Sequence, residues 1–413
     1  MQCHAAVTDI RLPAGWTFAA LLAGLAVGWA LSGGPAAEMA AAIAGPVGSI
    51  WLRALQMTIV PLVAALLVIG IVRMVATARA GPMARRTLLT FLVVLAAGTL
   101  FAAFATPALL EAFPIPGRAA AALAAENAAA QTVPGIGAFF ESLVADNVLA
   151  AAAETAMLPL IVFFSLFAVA ITRLEEGQRD LLVGLFEALG QAMLVIIGWV
   201  LWLAPLGVFA LALGVGLTSG SGAFAALGHY ILLVTGLGTV VLIAAYAIGA
   251  WHNGLVAFAR AMLPSQAVAI STQSSLASLP AMLQSCRLLG VRETTADFVL
   301  PLAVALFRAT GPAMNLAVVI YIAYWFGIEL GPAQIAAGVA AAAITTMGAA
   351  GVPGQASFIT SIAPICLAMG VPIAPLALLI AVETLPDIFR TLGNVTMDVA
   401  VTSRVERTTP TSA

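Results

Sequence analysis

The strongest candidate for chemistry is a row of polar side chains near the end of the sequence. In a helix the members of this row share one face, because they follow one another at intervals of three or four residues. The polar row consists of Glu383, Asp387, Arg390, Thr391, Asn394 and Asp398. A carboxylate in the hydrocarbon of a bilayer costs at least about 2.5 kcal/mol, so such a row must face a wet or mutually paired interior. This pattern is typical of a site for a solute or an ion.

Two simpler interpretations compete with a binding site. An exposed amphipathic helix just beyond the last membrane segment would show the same period. The apolar run 372–382 leads straight into the row, however, and leaves no room for a separate span before it. Asp387 and Arg390 also have the spacing of a structural ion pair, although that pair would not account for Asn394.

The composition places the row in a membrane protein. Of 413 residues, 62% are hydrophobic and 8% are charged, and the mean hydropathy is +1.10. A soluble globular chain carries about 25% charged residues. The formal net charge of −2 predicts no nucleic-acid partner. Cys3, Cys286 and Cys366 are too few and too scattered for a disulfide framework or a zinc site.

Apolar runs of spanning length indicate several membrane segments before residue 250. They lie at about 15–32, 51–76, 87–110, 156–172, 182–216 and 223–250. The long run 182–216 contains Pro205 and is expected to be one tilted or kinked span. A Pro/Ala/Gly-rich connection is expected at 111–136, and a short interfacial helix at 137–155.

Arginine placement predicts the orientation. Arginines follow alternate spans and the C-terminal helix, so they share one side if the spans alternate. They are Arg73, Arg79, Arg85, Arg86, Arg173, Arg179, Arg260, Arg404 and Arg407. The positive-inside rule then predicts a multi-pass protein of the plasma (bacterial inner) membrane with both termini in the cytoplasm.

After residue 250 the apolar runs shorten and are interrupted by Ser, Thr, Gly and Pro. Residues 256–289 and 332–370 each hold two half-runs too short to span, which predicts two re-entrant hairpins. A full helix is expected after each hairpin, at about 297–326 and 372–403. Paired interrupted segments in matching positions indicate a transporter binding site.

Several motifs in this region and upstream carry a family resemblance. They are the first hairpin tip TQSSLASLP, the second tip MGAAGVPG, the pattern D-x-x-R-T-x-x-N-x-x-x-D from Asp387 to Asp398, RALQMTIVPLV from Arg53 and APLGVFAL from Ala204. The sequence resembles the dicarboxylate/amino acid:cation symporter family, which includes the glutamate transporters. The resemblance implies an all-α polytopic membrane protein. It would have eight transmembrane helices plus two re-entrant helical hairpins, inverted repeats and an elevator-type mechanism.

The resemblance also implies a homotrimer and a division into domains. Residues 1–255 would be mainly scaffold and trimerisation helices, with the spans 87–110 and 173–222 partly shared. Residues 256–404 would form the transport core, in which the second hairpin is the gate. Residues 405–413 would be a cytoplasmic tail.

The same resemblance implies a substrate-binding role for individual residues of the polar row and the hairpin tips. Arg390 matches the residue that pairs with a substrate side-chain carboxylate, and Asp387 matches the acid that receives the α-amino group. Asn394 matches a contact to the α-carboxylate. Further substrate contacts are expected at Thr391, Ser274, Ser275, Gly311, Gly351, Val352 and Pro353.

The sodium-binding residues of the family are where this sequence departs from it. In the penultimate helix, Phe307, Ala309 and Gly311 stand at the Asn, Asp and Thr of the N-M-D-G-T motif. Leu92, Leu95 and Ala96 stand at the Tyr, Thr and Ser expected in the third helix. A residual sodium site is possible at Asn394 and Asp398, and a backbone site at Ala305, Thr346, Met347 and Ala349.

Arg308 is the new charge in this region. One hypothesis is that its guanidinium acts as a tethered cation in place of sodium, paired with Asp398 or Asp387. The alternative is that Arg308 compensates for the family's first-hairpin arginine, which is Gln273 here. In either case we expect weak or absent sodium dependence, with protons coupled through Glu383 or Asp398 as the substitute.

The expected function is secondary active transport of an acidic amino acid. The alternatives are a C4-dicarboxylate or a neutral or sulfur-containing amino acid as substrate, or a sensor or channel on the same fold. An enzyme is not expected, because rhomboid-type and aspartyl intramembrane protease motifs are missing and a chain without lysine cannot form a P-loop. The expected partners are a small anionic substrate and the bilayer, with no cofactor apart from sodium or a proton as coupling ion.

Overall fold

The computed structural model describes residues 14–79, 81–116, 141, 143–219, 222–348 and 354–408. Regular structure in these residues is helical, without a β-strand. In chain order the helices are α1 (Ala14–Leu31), α2 (Ala37–Gln56), α3 (Ile59–Arg79), α4 (Pro82–Ala112), α5 (Val148–Ala153), α6 (Met157–Ile171), α7 (Glu176–Trp202), α8 (Ala204–Ser219), α9 (Gly222–Asn253), α10 (Leu255–Thr272), α11 (Leu279–Leu288), α12 (Glu293–Leu306), α13 (Gly311–Trp325), α14 (Pro332–Gly348), α15 (Gly354–Ala368), α16 (Leu376–Leu379) and α17 (Thr384–Thr408).

Within the described residues, six helical stretches are long and apolar enough to cross a bilayer. They are Ala37–Arg79, Pro82–Ala112, Glu176–Trp202, Ala223–Asn253, Leu255–Thr272 and Glu293–Trp325. The expectation of an all-helical protein with several apolar, membrane-crossing helices is therefore confirmed. Most of the connection at 111–136 lies outside the described residues, and so does the start of the segment 137–155.

The apolar run 182–216, expected to be tilted or kinked because it contains Pro205, is interrupted just before that proline. It forms two helices, because α7 ends at Trp202 and α8 begins at Ala204. Pro205 explains the break, since it has no N–H to bond the carbonyl of Leu201 and its ring clashes with that carbonyl. The indole Nε1 of Trp51 donates to the carbonyl of Val200 at 2.8 Å, which satisfies an acceptor at the end of α7.

The expected full helix at 297–326 is also interrupted. It consists of α12 and α13, which are separated by Phe307–Thr310. Arg308 lies in this break with a φ of +36°, a left-handed conformation that is strained for a residue with a side chain. Pro312 cannot donate to the carbonyl of Arg308, and the N–H of Gly311 donates to it instead at 2.8 Å. We refer to Phe307–Thr310 as the helix break.

The last predicted helix, 372–403, begins later than expected. Its first part is the short α16 followed by a 3₁₀ turn at Ile380–Val382, and the continuous helix α17 starts at Thr384. Pro386 lies in the first turn of α17, where a missing N–H is tolerated. The polar row therefore begins at the junction before α17 and continues along it.

Two pairs of helices occupy the predicted hairpin positions. The first arm, α10, was expected to be too short to span a bilayer, but with 18 residues it is long and apolar enough to do so. α10 and α11 pack together, and Gln273, with a φ of +51°, ends α10. The hydroxyl oxygens of Ser265 and Ser285 lie 2.5 Å apart between these two arms. α14 and α15 also pack together, and the residues of their tip, 349–353, lie outside the described residues.

α17 lies at the centre of the helical packing. α9 runs along it, and α4, α10, α11 and α12 contact it. α13 is almost completely buried between α4, α9, α14 and α15. This arrangement brings the polar row against the helix break and the second helix pair.

Candidate functional site

The polar row faces the protein interior. Glu383, Asp387, Arg390, Thr391, Asn394 and Asp398 are each at most 6% exposed. α17 is surrounded by α4, α9, α10, α11 and α12, so these buried polar groups must find partners within the protein or in a ligand.

Arg390 is the centre of a buried ionic cluster. Its Nη2 lies 2.6 Å from Oε1 of Glu383, and its Nε lies 3.6 Å from Oδ1 of Asp387. Its Nη1 donates a hydrogen bond to Oδ1 of Asn315. The hydroxyl of Tyr230 donates to the other oxygen of Glu383 at 3.3 Å. The guanidinium is thus already neutralised by the protein, and it is held by groups from α13 and α17.

Asn315 and Tyr230 were not among the predicted site residues. Asn315 had a visible signal, since it is the one amide in the otherwise apolar α13 and is 2% exposed. A carboxamide buried in such a helix requires a polar partner. Tyr230 had no such signal, because its partner Glu383 is 153 residues away in the sequence.

The helix break is held against α17 by Thr310. The N–H of Thr310 donates to Oδ1 of Asn394 at 2.9 Å, and the Thr310 hydroxyl lies 2.8 Å from the same oxygen. That hydroxyl is also 3.0 Å from the carbonyl of Arg390. Gly393 permits this contact, because a Cβ on Gly393 would lie 2.4 Å from Cγ2 of Thr310. Asn394 therefore uses its oxygen to fix the break, and its NH₂ group is the donor that can address a carboxylate.

Arg308 connects the helix break to the second helix pair. Its Nη1 donates to the hydroxyl of Ser357 on α15 at 2.8 Å. Through space this guanidinium is repelled by that of Arg390 and attracted by the carboxyl groups of Asp387 and Asp398. Ser357 was missed by the sequence reasoning, because nothing in its surroundings distinguishes it from the other small polar residues of α15.

The position of the family's sodium-binding asparagine does not fit a metal ion. Phe307 occupies it, is completely buried and stacks on Phe91 with ring centroids 4.2 Å apart. Leu95, expected near the same site, is also buried and apolar. A hard cation requires several oxygen ligands, and these side chains supply none.

The carboxylate of Asp398 is buried at the far end of the polar row. It is 1% exposed, and its Oδ1 has no hydrogen-bond partner within the part of the chain that the structure describes. A buried carboxylate oxygen without a donor is costly unless a cation or a proton neutralises it.

The other described residues of the predicted site lie in the two helix pairs and in the helices on either side of the helix break. Ser274 and Ser275 lie half-buried in the turn between α10 and α11, and the Ser274 hydroxyl accepts from the N–H of Ala277 at 3.2 Å. Gly311 begins α13 and faces Thr346 of α14. Among the residues predicted to form a backbone sodium site, Ala305 lies in α12 and Met347 in α14. The remaining predicted residues lie outside the described residues: Ala349, Gly351, Val352 and Pro353.

The fold and the site together define a class of protein. A multi-pass helical membrane protein that buries a charged cluster beside broken helices has the arrangement of a secondary transporter. A model of the sodium:dicarboxylate symporter family matches residues 14–408. The chain belongs to this family, which consists of symporters and not of enzymes.

Individual relatives match between 59% and 92% of the chain. The proton/sodium-glutamate symport protein of Bacillus subtilis (strain 168) is 28% identical over 92% of this chain and 88% of its own length. The proton/glutamate-aspartate symporter of Escherichia coli (strain K12) is 28% identical over 85% of this chain and 82% of its own length. The human neutral amino acid transporter A is 28% identical over 59% of this chain and 46% of its own length.

Proposed function

We propose that this protein transports an acidic amino acid across the membrane with reduced or absent sodium coupling. The observation that carries the proposal is the buried cluster of Arg390, Asp387 and Asn394 beside the helix break. In one small volume this cluster offers a guanidinium, a carboxylate and an amide donor. These groups complement the side-chain carboxylate, the α-amino group and the α-carboxylate of such a substrate. The glutamate and aspartate symporters among the relatives support the same substrate class.

Binding of an acidic side chain requires a change within the cluster. Glu383 lies 2.6 Å from Arg390 and holds the place that a substrate carboxylate would take. Arg390 already faces the carboxylates of Glu383 and Asp387, and a third anion in this dry site would be strongly repelled by them. A proton on Glu383 removes this competition. The substrate carboxylate and a proton would then enter together, so Glu383 would be the coupling group.

The sodium sites support the same conclusion. At the site that Phe307 fills, the side-chain oxygens have been replaced by a buried aromatic stack. Arg308 places a permanent cation within electrostatic reach of Asp387 and Asp398. A guanidinium there neutralises carboxylates that would otherwise need bound sodium. This favours the tethered-cation hypothesis over simple replacement of the hairpin arginine.

A neutral amino acid is the second candidate substrate, and a specific contact favours it. Glu383, Asp387 and Asn315 already engage Arg390, so a substrate without a side-chain carboxylate would leave the ionic cluster intact. The similarity to a human neutral amino acid transporter is compatible with this alternative. Protons would not be required in that case.

For the mechanism, we propose an elevator movement of a transport core within a homotrimer. The core would comprise 256–404 together with the parts of α4 and α9 that pack on α17. The α10–α11 and α14–α15 pairs would be the re-entrant hairpins, and the second would be the gate. Residues 1–255 would otherwise supply the scaffold, and both termini would face the cytoplasm.

Uptake by purified protein in proteoliposomes tests the proposal. Labelled aspartate, glutamate, succinate and serine would each be offered in sodium, potassium and choline buffers, at two external pH values. We expect acidic amino acid uptake that persists without sodium and increases at the lower pH. Uptake of serine alone, independent of pH, would establish the second candidate. Acidic uptake that required inward sodium would overturn the coupling scheme.

A further inference from the structure

A groove opens on the surface between α4 and α9, and none of Arg390, Glu383 and Asp387 lines it. Its volume is about 600 Å³. The walls are almost entirely apolar, and the helix break and α17 form its floor. Its lining includes Leu89, Val93, Ala97, Gly98, Ala244 and Arg404.

The packing of the surrounding helices explains why the groove exists. α4 packs against α13 and α9 packs along α17, while α4 and α9 contact each other only slightly. Small residues face the gap, among them Ala97 and Gly98 on one wall and Ala244 on the other. The cleft between the two helices is therefore left without side chains to fill it.

The groove opens toward the hydrocarbon of the bilayer. Leu89 and Val93 at its edge are 62% and 60% exposed, and both belong to the long apolar helix α4. Water in such a cleft would have few hydrogen-bond partners, whereas an acyl chain would gain contacts along both walls. The walls therefore select a flexible apolar chain.

One end of the groove is marked by positive charge. Arg404 lies ten residues beyond Asn394 on α17, and Asn394 contacts Thr310 at the helix break. Ten residues of α-helix span about 15 Å, so Arg404 lies about 15 Å from the helix break. Leu89 is nine residues before Gly98, which faces the carbonyl of Ala309 at the break. Leu89 and Arg404 thus mark the same outer end. From the helix break to this outer end the groove is about 15 Å long, which corresponds to one leaflet of a hydrocarbon core about 30 Å thick.

We propose that this groove binds an anionic phospholipid, with an acyl chain between α4 and α9 and the phosphate at Arg404. A guanidinium complements a phosphate, and the apolar walls complement the chain. Arg86 lies one helical turn before Thr90 on α4 and adds positive charge at the same end. The inner end of the chain would contact Ala309, the residue after Arg308. This site is independent of which substrate is transported.

Native mass spectrometry of the purified full chain tests this site. The protein in detergent would be given phosphatidylglycerol or phosphatidylcholine with identical acyl chains, and the retained lipid would be counted. We expect the wild type to retain phosphatidylglycerol preferentially. Arg404→Gln should reduce that preference by about fivefold, the factor for one arginine beside an anionic lipid. Arg407→Gln, at the same end of α17 but outside the groove, should leave the preference unchanged.

Variants that fill the groove distinguish lipid binding inside it from nonspecific lipid adhesion to the protein. Ala244→Trp places an indole in the gap and should abolish retention of the lipid, and Ala97→Trp should do the same from the opposite wall. Ala247→Trp is the matched control, because Ala247 is exposed on α9 outside the groove. Equal retention of the two lipids by the wild type would overturn the proposal. Undiminished retention in both groove-filling variants would also overturn it, as would cross-linking between two copies through a cysteine at position 244.

Discussion

Arg390 and Glu383 form a buried ion pair 2.6 Å long between two residues seven positions apart at the start of the last helix. Tyr230 and Asn315 complete the hydrogen bonding of the two side chains from separate helices. The arginine expected to recognise a substrate carboxylate thus already has an internal carboxylate as its partner. In the transport scheme proposed above, the opening of that pair would decide both the substrate class and the coupling ion.

Glu383→Gln is expected to remove the competition between the protein and an acidic substrate. A glutamine keeps the shape and can still hydrogen-bond, but it cannot neutralise Arg390. We expect acidic substrates to bind about tenfold more tightly, in line with one charge-assisted hydrogen bond of about 1.5 kcal/mol. The rise of uptake at lower pH should disappear, because in the proposed coupling scheme lower pH acts by protonating Glu383. Competition binding and uptake at two pH values would measure these effects.

Glu187→Gln is the matched control for this experiment, since Glu187 forms an exposed pair with Arg73. It should change neither affinity nor pH dependence. If Glu383→Gln kept the wild-type increase of uptake at low pH, Glu383 would not be the coupling group.

Arg390→Ala is expected to abolish acidic uptake and to destabilise the protein. It leaves Glu383 and Asp387 buried without their cation, a change that typically costs about 3–5 kcal/mol. The double variant with Glu383→Gln leaves only one buried carboxylate, that of Asp387, without its cation. It should recover part of the thermal stability in detergent without recovering acidic uptake. Acidic uptake at wild-type levels in the double variant would exclude Arg390 from the substrate site.

Arg308 combines a strained backbone with a buried charge, and two substitutions separate these effects. Arg308→Gly relieves a left-handed conformation that costs about 1–3 kcal/mol, but removes the charge. Arg308→Lys keeps a positive charge and the strain. If the charge replaces sodium, the lysine variant retains measurable sodium-independent uptake and the glycine variant loses it.

The reverse result for Arg308 would identify its role as structural. Ser357→Ala provides a further control, because it removes the hydrogen-bond partner on α15 without changing the charge. We expect this variant to keep its sodium independence. A requirement for sodium in Ser357→Ala would mean that the contact with α15, rather than the cation, is what matters.

Gly393→Ala is expected to disturb the contact between α17 and the helix break. The new Cβ would lie 2.4 Å from Cγ2 of Thr310, so the break must move. Overpacking of this kind typically costs about 1–3 kcal/mol, which would appear as a lower thermal midpoint in detergent. Adding Thr310→Ser removes the clashing methyl group and should restore most of the loss.

Gly177→Ala is the control for the glycine experiment, because a Cβ at Gly177 meets no atom within 4 Å. It should have little effect on the midpoint. A Gly393→Ala protein as stable as the wild type, with unchanged uptake, would show that the helix break tolerates displacement from Asn394.

Local pattern was enough to predict the general class of structure. The apolar runs of α4, α6 and α9 were located from hydropathy, because each helix must bury its backbone polar groups by itself in a bilayer. The polar row was located from a period of three and four residues, which depends only on helix geometry. Paired interruptions after residue 250 predicted two helix pairs, and the packing of α10 on α11 and of α14 on α15 agrees with them.

The sequence by itself therefore determined that this is a helical membrane protein with a charged stripe on its last helix, since hydropathy and helical period are properties of neighbouring residues. Only the tertiary structure decided where the long helices break and which groups the stripe contacts. Arg390 meets Asn315 across 75 positions, and Arg308 meets Ser357 across 49. Such contacts depend on how separate helices pack around α17, and no local pattern specifies which distant donor satisfies a buried charge.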